Sequence, residues 1–356
     1  MPRRGAGFLV VIVACANACD RHPTPTPETT AVGSTPPLAV ITAPVADPSP
    51  PIAGDARDAA RAIFGAPTKP GRLVGVIEPA TNGDPQYVGG GVLVSSVSGG
   101  RIVTVRSSAG ELRIGGPFEL GGTSSLATDG RHVCTSDRKS VRCAWLDGSG
   151  GNQRVGDTPT TGLWGNAGLM VRGASSGNAR WLEASTDGFL TVRKVGLPPR
   201  FAAAAVEIES PTYWTAALIP LEGTGKPRFG ATSDGRSDVA DLGALDRAGW
   251  SGGDRLWPDG FVTGALSTEM VVAEKGEKQT TVTLPWSASG AFYFAKGTLM
   301  GFGKGATGSG GFVLIELHAH RATNFTPPGA QPIIAAGRVG QALVAITTRG
   351  EVLAWP

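Results

Sequence analysis

The chain has 356 residues, with 32 Lys and Arg against 29 Asp and Glu and a net charge of +3. So balanced a composition offers no basic stripe for a phosphate backbone, which excludes nucleic acid as an expected partner. Fifty-three glycines and 27 prolines beside only 17% charged residues starve helices and supply turns, so the composition points to an all-β fold of many short strands.

The chain opens MPRRGAGFLVVIVACANACD. Two arginines, an apolar run from Phe8 to Ala16 and then small residues have the build of an export signal. The run is about half the ~20 residues that a membrane-spanning helix needs. The segment also resembles the lipobox of bacterial lipoproteins, where a cysteine after small residues is acylated and becomes the mature N-terminus. Ile12-Val13-Ala14-Cys15 fits that box more closely, whereas Ala16-Asn17-Ala18-Cys19 leaves an apolar run of more usual length. The resemblance implies a signal peptide over 1–19, Cys19 as the lipidated residue and Cys15 as the alternative. A plain cleaved signal is the third reading. The implied location is the cell envelope, exported and membrane-anchored by the N-terminal lipid, on the periplasmic or surface face.

Residues 20–54 include HPTPTPETTAVGSTPPLAVITAPVADPSPP, rich in Pro and Thr and poor in large apolar side chains. Such a segment cannot bury enough surface to order itself and is expected to be a disordered, extended tether. Over 55–70 a short helix and linker follow. In DARDAARAIF, Asp55 can cap the helix start, and the helix is expected to be marginal or to pack on the domain's edge.

From residue 71 to 356 short apolar runs alternate with turn signals. Asp-Gly pairs at 129–130, 147–148, 187–188, 234–235 and 259–260, with Asn82-Gly83, favour the positive φ of tight hairpin turns. The expected inner strands are IVTV (102–105), VRCAW (141–145), ARWLEA (179–184), TAALIP (215–220), MVVAE (270–274), FVLIEL (312–317) and VLAW (352–355). Their centres are about 42 residues apart on average, the period of a four-stranded propeller blade. The expectation is a β-propeller of seven four-stranded blades, with a β-sandwich pair as the alternative. The terminal hairpin ALVAITTRGEVLAWP lacks outer strands, and RLVGVIEP (72–79) is a suitable strand to close the ring and hide the open edge.

Within this region RHVCTSDRKSVRCAW (131–145) reads as two strands around a polar turn near Arg138-Lys139. In an oxidising compartment Cys134 and Cys143 are expected to form a disulfide across the hairpin, with Trp145 reaching into the core. Two cysteines with only His132 nearby do not complete a metal set. The stretch resembles blades of the RCC1-like repeat propellers, where a cysteine strand, a turn and a V-x-C-W strand recur, and LVAITTRGEVLAW is a fainter echo. It departs from that pattern at Ala144, between Cys143 and Trp145, and lacks the glycine-rich signature between blades. The resemblance implies a propeller-like fold and no activity.

Chemistry-bearing motifs are sparse. Gly173-Ala174-Ser175-Ser176-Gly177 fits G-x-S-x-G, but a nucleophile elbow needs a helix after it, and NARWLEA reads as a strand. GFGKGATGSGG (301–311) lacks the first glycine and the hydroxyl residue of a phosphate loop around Lys304. Trp145, Trp181 and Trp355 read as core wedges, and Trp250, Trp257 and Trp286 as core residues that could instead line a pocket. In IELHAHR, a strand would place Glu316, His318 and His320 on one face as a three-ligand metal edge, against the plainer reading of a solvent-facing polar row. No catalytic residue and no cofactor site are identified. The leading reading is a non-catalytic propeller that binds a protein partner or serves as a scaffold. The rival is an envelope hydrolase or lyase with its site in the channel, which would need carboxylates or His318 to converge there.

Overall fold

The structure is a computed structural model. Residues 1–50, 80–85 and short loop segments between 98 and 277 lie outside the described residues, and every residue from 278 onward is described. Cys15, Cys19 and the tether up to residue 50 therefore fall outside it. The described residues belong to one compact unit.

Among the described residues the strands assemble into seven four-stranded antiparallel sheets. In chain order, first and last strands are Gln86–Gly89 and Glu111–Glu119, Ser125–Thr128 and Gln153–Val155, Thr160–Gly165 and Leu190–Lys194, and Phe201–Ser210 and Ala240–Ala244. Arg255–Trp257 and Thr280–Thr283 bound the fifth sheet, and Gly290–Ala295 and Arg321–Phe325 the sixth. The closing sheet runs Ile333–Val339, Ala342–Thr347, Glu351–Trp355 and, from the other end of the chain, Arg72–Val76. Four antiparallel strands end where the next sheet begins, so all first strands run the same way. First strands of neighbouring sheets pack side by side from the first sheet to the fifth, and from the sixth through the closing sheet back to the first. The fold is an all-β β-propeller.

Every apolar run expected as an inner strand is a strand, but none is innermost. Six are third in their sheets, and TAALIP is second. A third strand has partners on both edges and neighbouring sheets on both faces, so it is apolar throughout, as in Gly310–Glu316, buried from Gly310 to Ile315. The innermost strand borders the central opening along one edge, as Gly290–Ala295 does, where Ala291 and Tyr293 are only partly buried. Apolar density thus marks the middle of each sheet.

Arg72–Val76 closes the ring as expected, with Arg72 opposite Ala354 and Val76 opposite Glu351. The helix α1 (Ala56–Phe64) before it is capped by Asp55, whose Oδ1 accepts from the amides of Arg57 (2.7 Å) and Asp58 (3.2 Å). It is more than an edge decoration. Phe64 is fully buried, its ring 5.0 Å from Phe312 and 5.1 Å from Phe325 of the sixth sheet and 5.8 Å from Trp355 of the closing sheet. Trp355 Nε1 donates to the carbonyl of Lys69 at 2.9 Å, fixing the chain between α1 and the closing strand.

Cys134 and Cys143 are directly opposed and disulfide-bonded, with Cα atoms 4.1 Å apart. Both are fully buried against Ala127, Leu163, Leu169 and Leu182, so the bond sits in the seam between second and third sheets. Arg138 and Lys139 lie outside the described residues. Trp145 does not reach the core. As the last residue of its strand it is half-buried, and it covers the imidazole of His132 edge-on at 5.0 Å.

The burial of Phe64 sets an expected cost. Phe64→Ala should lower stability by about 3–5 kcal/mol, the range for a large aromatic removed from a core. Urea unfolding followed by circular dichroism should show a lower midpoint. A change below about 1 kcal/mol would return α1 to the periphery.

Candidate functional site

The first strands of all seven sheets line one central cavity of about 1120 Å³. Their common direction gives it two distinct mouths. Residues at the ends of these strands and in the turns that follow surround one mouth, and residues that open the strands surround the other.

At the first mouth polar turn residues stitch the sheets together. Asn166 Oδ1 accepts from the amide of Gly90 (3.1 Å), and Asn166 Nδ2 donates to Glu207 Oε1 (3.3 Å), linking the first, third and fourth sheets. Gly90 and Gly130 have φ of 54° and 86°, and a Cβ on Gly90 would lie 2.3 Å from the carbonyl carbon of Asp129. Only glycine permits that approach. Asp259, at φ 69°, accepts from Tyr293 O–H (2.6 Å) and from the amide of Gly297 (3.1 Å), joining the fifth and sixth sheets.

Asp129 is the most heavily engaged of these. Its carboxylate accepts from the amides of Arg131 (2.9 Å) and His132 (2.7 Å) and faces His132 Nδ1 at 3.0 Å. An ionised carboxylate can only accept, so Nδ1–H is the donor. Burial acts to raise the Asp129 pKa, but hydrogen bonds and charge from His132, with the two amides, outweigh it and hold the carboxyl below its ordinary 3.8. His132 is 4% exposed.

The metal edge expected at Glu316, His318 and His320 is not assembled. The strand ends at Glu316, and His318 and His320 lie in the turn that follows, His320 at φ 48°, so the strand alternation that would align them is lost. Two arginines occupy the Glu316 carboxylate, Arg57 at 2.9 Å and Arg321 at 2.7 Å. His318 Nδ1 faces Glu274 at 3.4 Å, and His320 Nε2 faces Thr280 Oγ1 at 3.2 Å. Among the described residues no group of three or more His, Cys, Asp or Glu is arranged to hold a metal ion.

Of the other motifs, Gly173 ends one strand and Ala179 begins its antiparallel neighbour, while 174–178 lie outside the described residues. Lys304 ends a strand whose hairpin partner starts at Gly310, with no helix between them. Trp257 is 7% exposed and lines the cavity, whereas Trp286 is buried with Nε1 donating to Asn324 Oδ1 (2.9 Å). The Trp181 side chain and Trp250 lie outside the described residues. Trp164, Asn166, Glu207, Lys296 and Arg338 also line the cavity, and the sequence did not single them out. They are isolated residues at strand ends. The nearest signal was the Asp-Gly pairs at 129–130 and 259–260, which hold Asp129 and Asp259.

No protein-family model matches the sequence, and no curated protein does. Among solved structures, U3-55K is 12% identical with a TM-score of 0.49, covering 81% of this chain and 98% of that chain. Virginiamycin B lyase from Staphylococcus aureus is 9% identical with a TM-score of 0.48, covering 80% and 98%. YCF48 from Cyanidioschyzon merolae is 9% identical with a TM-score of 0.46, covering 80% and 98%. Likeness at this level says nothing about ligand or activity.

The Asp129 environment predicts a pH effect with a definite sign. A lowered folded pKa means that the ionised carboxylate adds stability above the unfolded value of about 3.9, and that this is lost as pH falls through the folded pKa. Asp129→Asn should therefore lower the urea midpoint at pH 7, with the gap between the two proteins narrowing below about pH 4. An equal gap at pH 7 and pH 3 would contradict it.

Proposed function

We propose that the chain is a cell-envelope lipoprotein whose propeller is a non-catalytic binding or scaffold module for a protein partner. In this reading Cys19 is acylated, residues 20–54 are the spacer between lipid and domain, and each of the seven sheets is one blade of a single ring. A folded domain on a lipid needs such a spacer to stand clear of the bilayer.

The composition of the channel wall carries the choice of binding over catalysis. Among the described lining residues Glu207 is the one carboxylate, already hydrogen-bonded by Asn166, and no histidine lines the cavity. His132 is committed to Asp129, and His318 borders a separate, smaller hollow of about 280 Å³ near the start of α1. Hydrolase or lyase chemistry needs a positioned acid and base within reach of one another. The described wall supplies a rigid, shaped surface instead.

Fractionation tests the anchor. Wild-type chain should partition with membranes and carry lipid, Cys15→Ala should behave the same, and Cys19→Ala should be released or cleaved differently. The reverse pattern would move the anchor to Cys15, and a lipid-free wild type in the soluble fraction would end the lipoprotein reading. For the partner, cross-linking in intact cells before solubilisation should recover the chain bound to one protein in stoichiometric amount. Recovery of the chain alone would count against a scaffold.

A further inference from the structure

The two most exposed large apolar side chains among the described residues stand on the strand that closes the ring. Leu73 is 54% exposed and Val76 66%. In a regular strand, residues three apart point to opposite faces. Here a register shift between Leu73 and Gly75 sets Leu73 opposite Leu353 and Val76 opposite Glu351. Leu353 and Glu351 are two apart and share a face, so the shift brings Leu73 and Val76 onto one face as well. The pair lies within about 10 Å along the strand. Gly75 between them backs onto the first sheet, where a Cβ would fall 2.8 Å from Ile114 Cδ1. Leu353 is covered by the core beside α1, but Leu73 and Val76, on the outermost strand, are left bare.

Cations flank the pair at both ends. Lys69 and Arg72 precede it and are exposed, and the sequence has no acid between Asp58 and Glu78. Arg349, also exposed, adjoins Gly350, whose carbonyl accepts from the amide of Ile77 at 2.8 Å. Among the described residues no carboxylate pairs with Lys69, Arg72 or Arg349. The acids close by are engaged. Glu78 pairs with Arg101, and Glu351 is half-buried with Oε2 accepting from Thr347 Oγ1 at 3.3 Å.

Neither Leu73 nor Val76 lines the channel or the smaller hollow near α1. A protein interface seats its anchors in matching pockets, whereas bare aliphatic side chains ringed by Lys and Arg suit an anionic headgroup layer. The register shift also interrupts the row of backbone groups that an added strand would need, which disfavours a second copy pairing there.

We propose that this edge rests on an anionic lipid surface, with Leu73 and Val76 in the headgroup layer and Lys69, Arg72 and Arg349 against lipid phosphates. The contact rests on the envelope reading for its setting, but lipid binding by an unacylated chain holds or fails independently of the anchor.

The test uses the chain from residue 20 onward, which lacks both candidate acylation cysteines and the apolar run that would itself enter a bilayer. The described residues form one compact unit, so this chain keeps the whole ring. It is sedimented with vesicles of phosphatidylcholine, alone or with about 30% phosphatidylglycerol. Anionic vesicles should bind it about tenfold more tightly than neutral ones, an advantage that shrinks between about 20 and 500 mM NaCl. Leu73→Ser with Val76→Ser, and Arg72→Gln with Arg349→Gln, should each weaken binding about fivefold or more. Leu221→Ser, at a leucine 52% exposed after the fourth-sheet strand Tyr213–Pro220, should leave it unchanged. If a double variant loosens the closing strand, hydrogen exchange of the unaltered chain decides the matter. Anionic vesicles should slow exchange over residues 69–77 and leave 213–221 as it was. No binding to anionic vesicles, binding undiminished in both double variants, or protection confined to other parts of the ring would overturn the proposal. So would a dimer in vesicle-free solution that the Leu73 and Val76 changes abolish, which would assign the edge to a second copy.

Discussion

The pairing of the N-terminal strand Arg72–Val76 with Glu351–Trp355 is the constraint on which the structure depends. A sheet left with three strands would expose a row of unpaired backbone groups along Glu351–Trp355. Filling that edge from the opposite end of the chain ties the first folded residues to the last. The helix α1 strengthens the tie, because Phe64 enters the seam between the sixth and closing sheets and Arg57 reaches Glu316. Trp355 packs edge-on against Phe64 and donates to the carbonyl of Lys69.

Closure also determines what the inner strands can do. Once seven first strands are held around one centre, their ends form a mouth whose turns are close enough to hydrogen-bond across sheets. Asn166 reaches Gly90 and Glu207, and Asp259 reaches Tyr293 and Gly297. These bonds tie sheets to one another around the mouth. The apolar middle strands of the sheets supply the rigidity, as in Arg101–Ser108 and Gly310–Glu316, while polar turn residues surround the mouth.

Much of the architecture was legible because it follows from period and pattern. The spacing of apolar runs gave four-stranded units, RLVGVIEP stood out as the closing strand, and the nine-residue separation of Cys134 and Cys143 matched a hairpin with the cysteines opposed. What escaped depended on position within a sheet. Apolar density was taken to mark the inner strands, yet it marks strands covered on both edges and both faces. His318 and His320 were placed on a strand because the apolar run continues to Leu317, but the chain turns after Glu316, and Glu316 is claimed by arginines that lie 259 and 5 residues away in sequence. The channel residues are single side chains at the ends of separate strands, brought together only by the ring, so no local motif could announce them.

Native-state hydrogen exchange on the full chain tests closure most directly. If the N-terminal strand completes a cooperative ring, amides of Glu351–Trp355 that pair with Arg72–Val76 should exchange only through global unfolding. Their protection should then match that of amides in the central strands Ala342–Thr347 and Gly310–Glu316 to within about tenfold, a difference of about 1.4 kcal/mol. Exchange of the 351–355 amides several orders of magnitude faster than in those strands would show that the seam opens on its own, and that the ring does not depend on it.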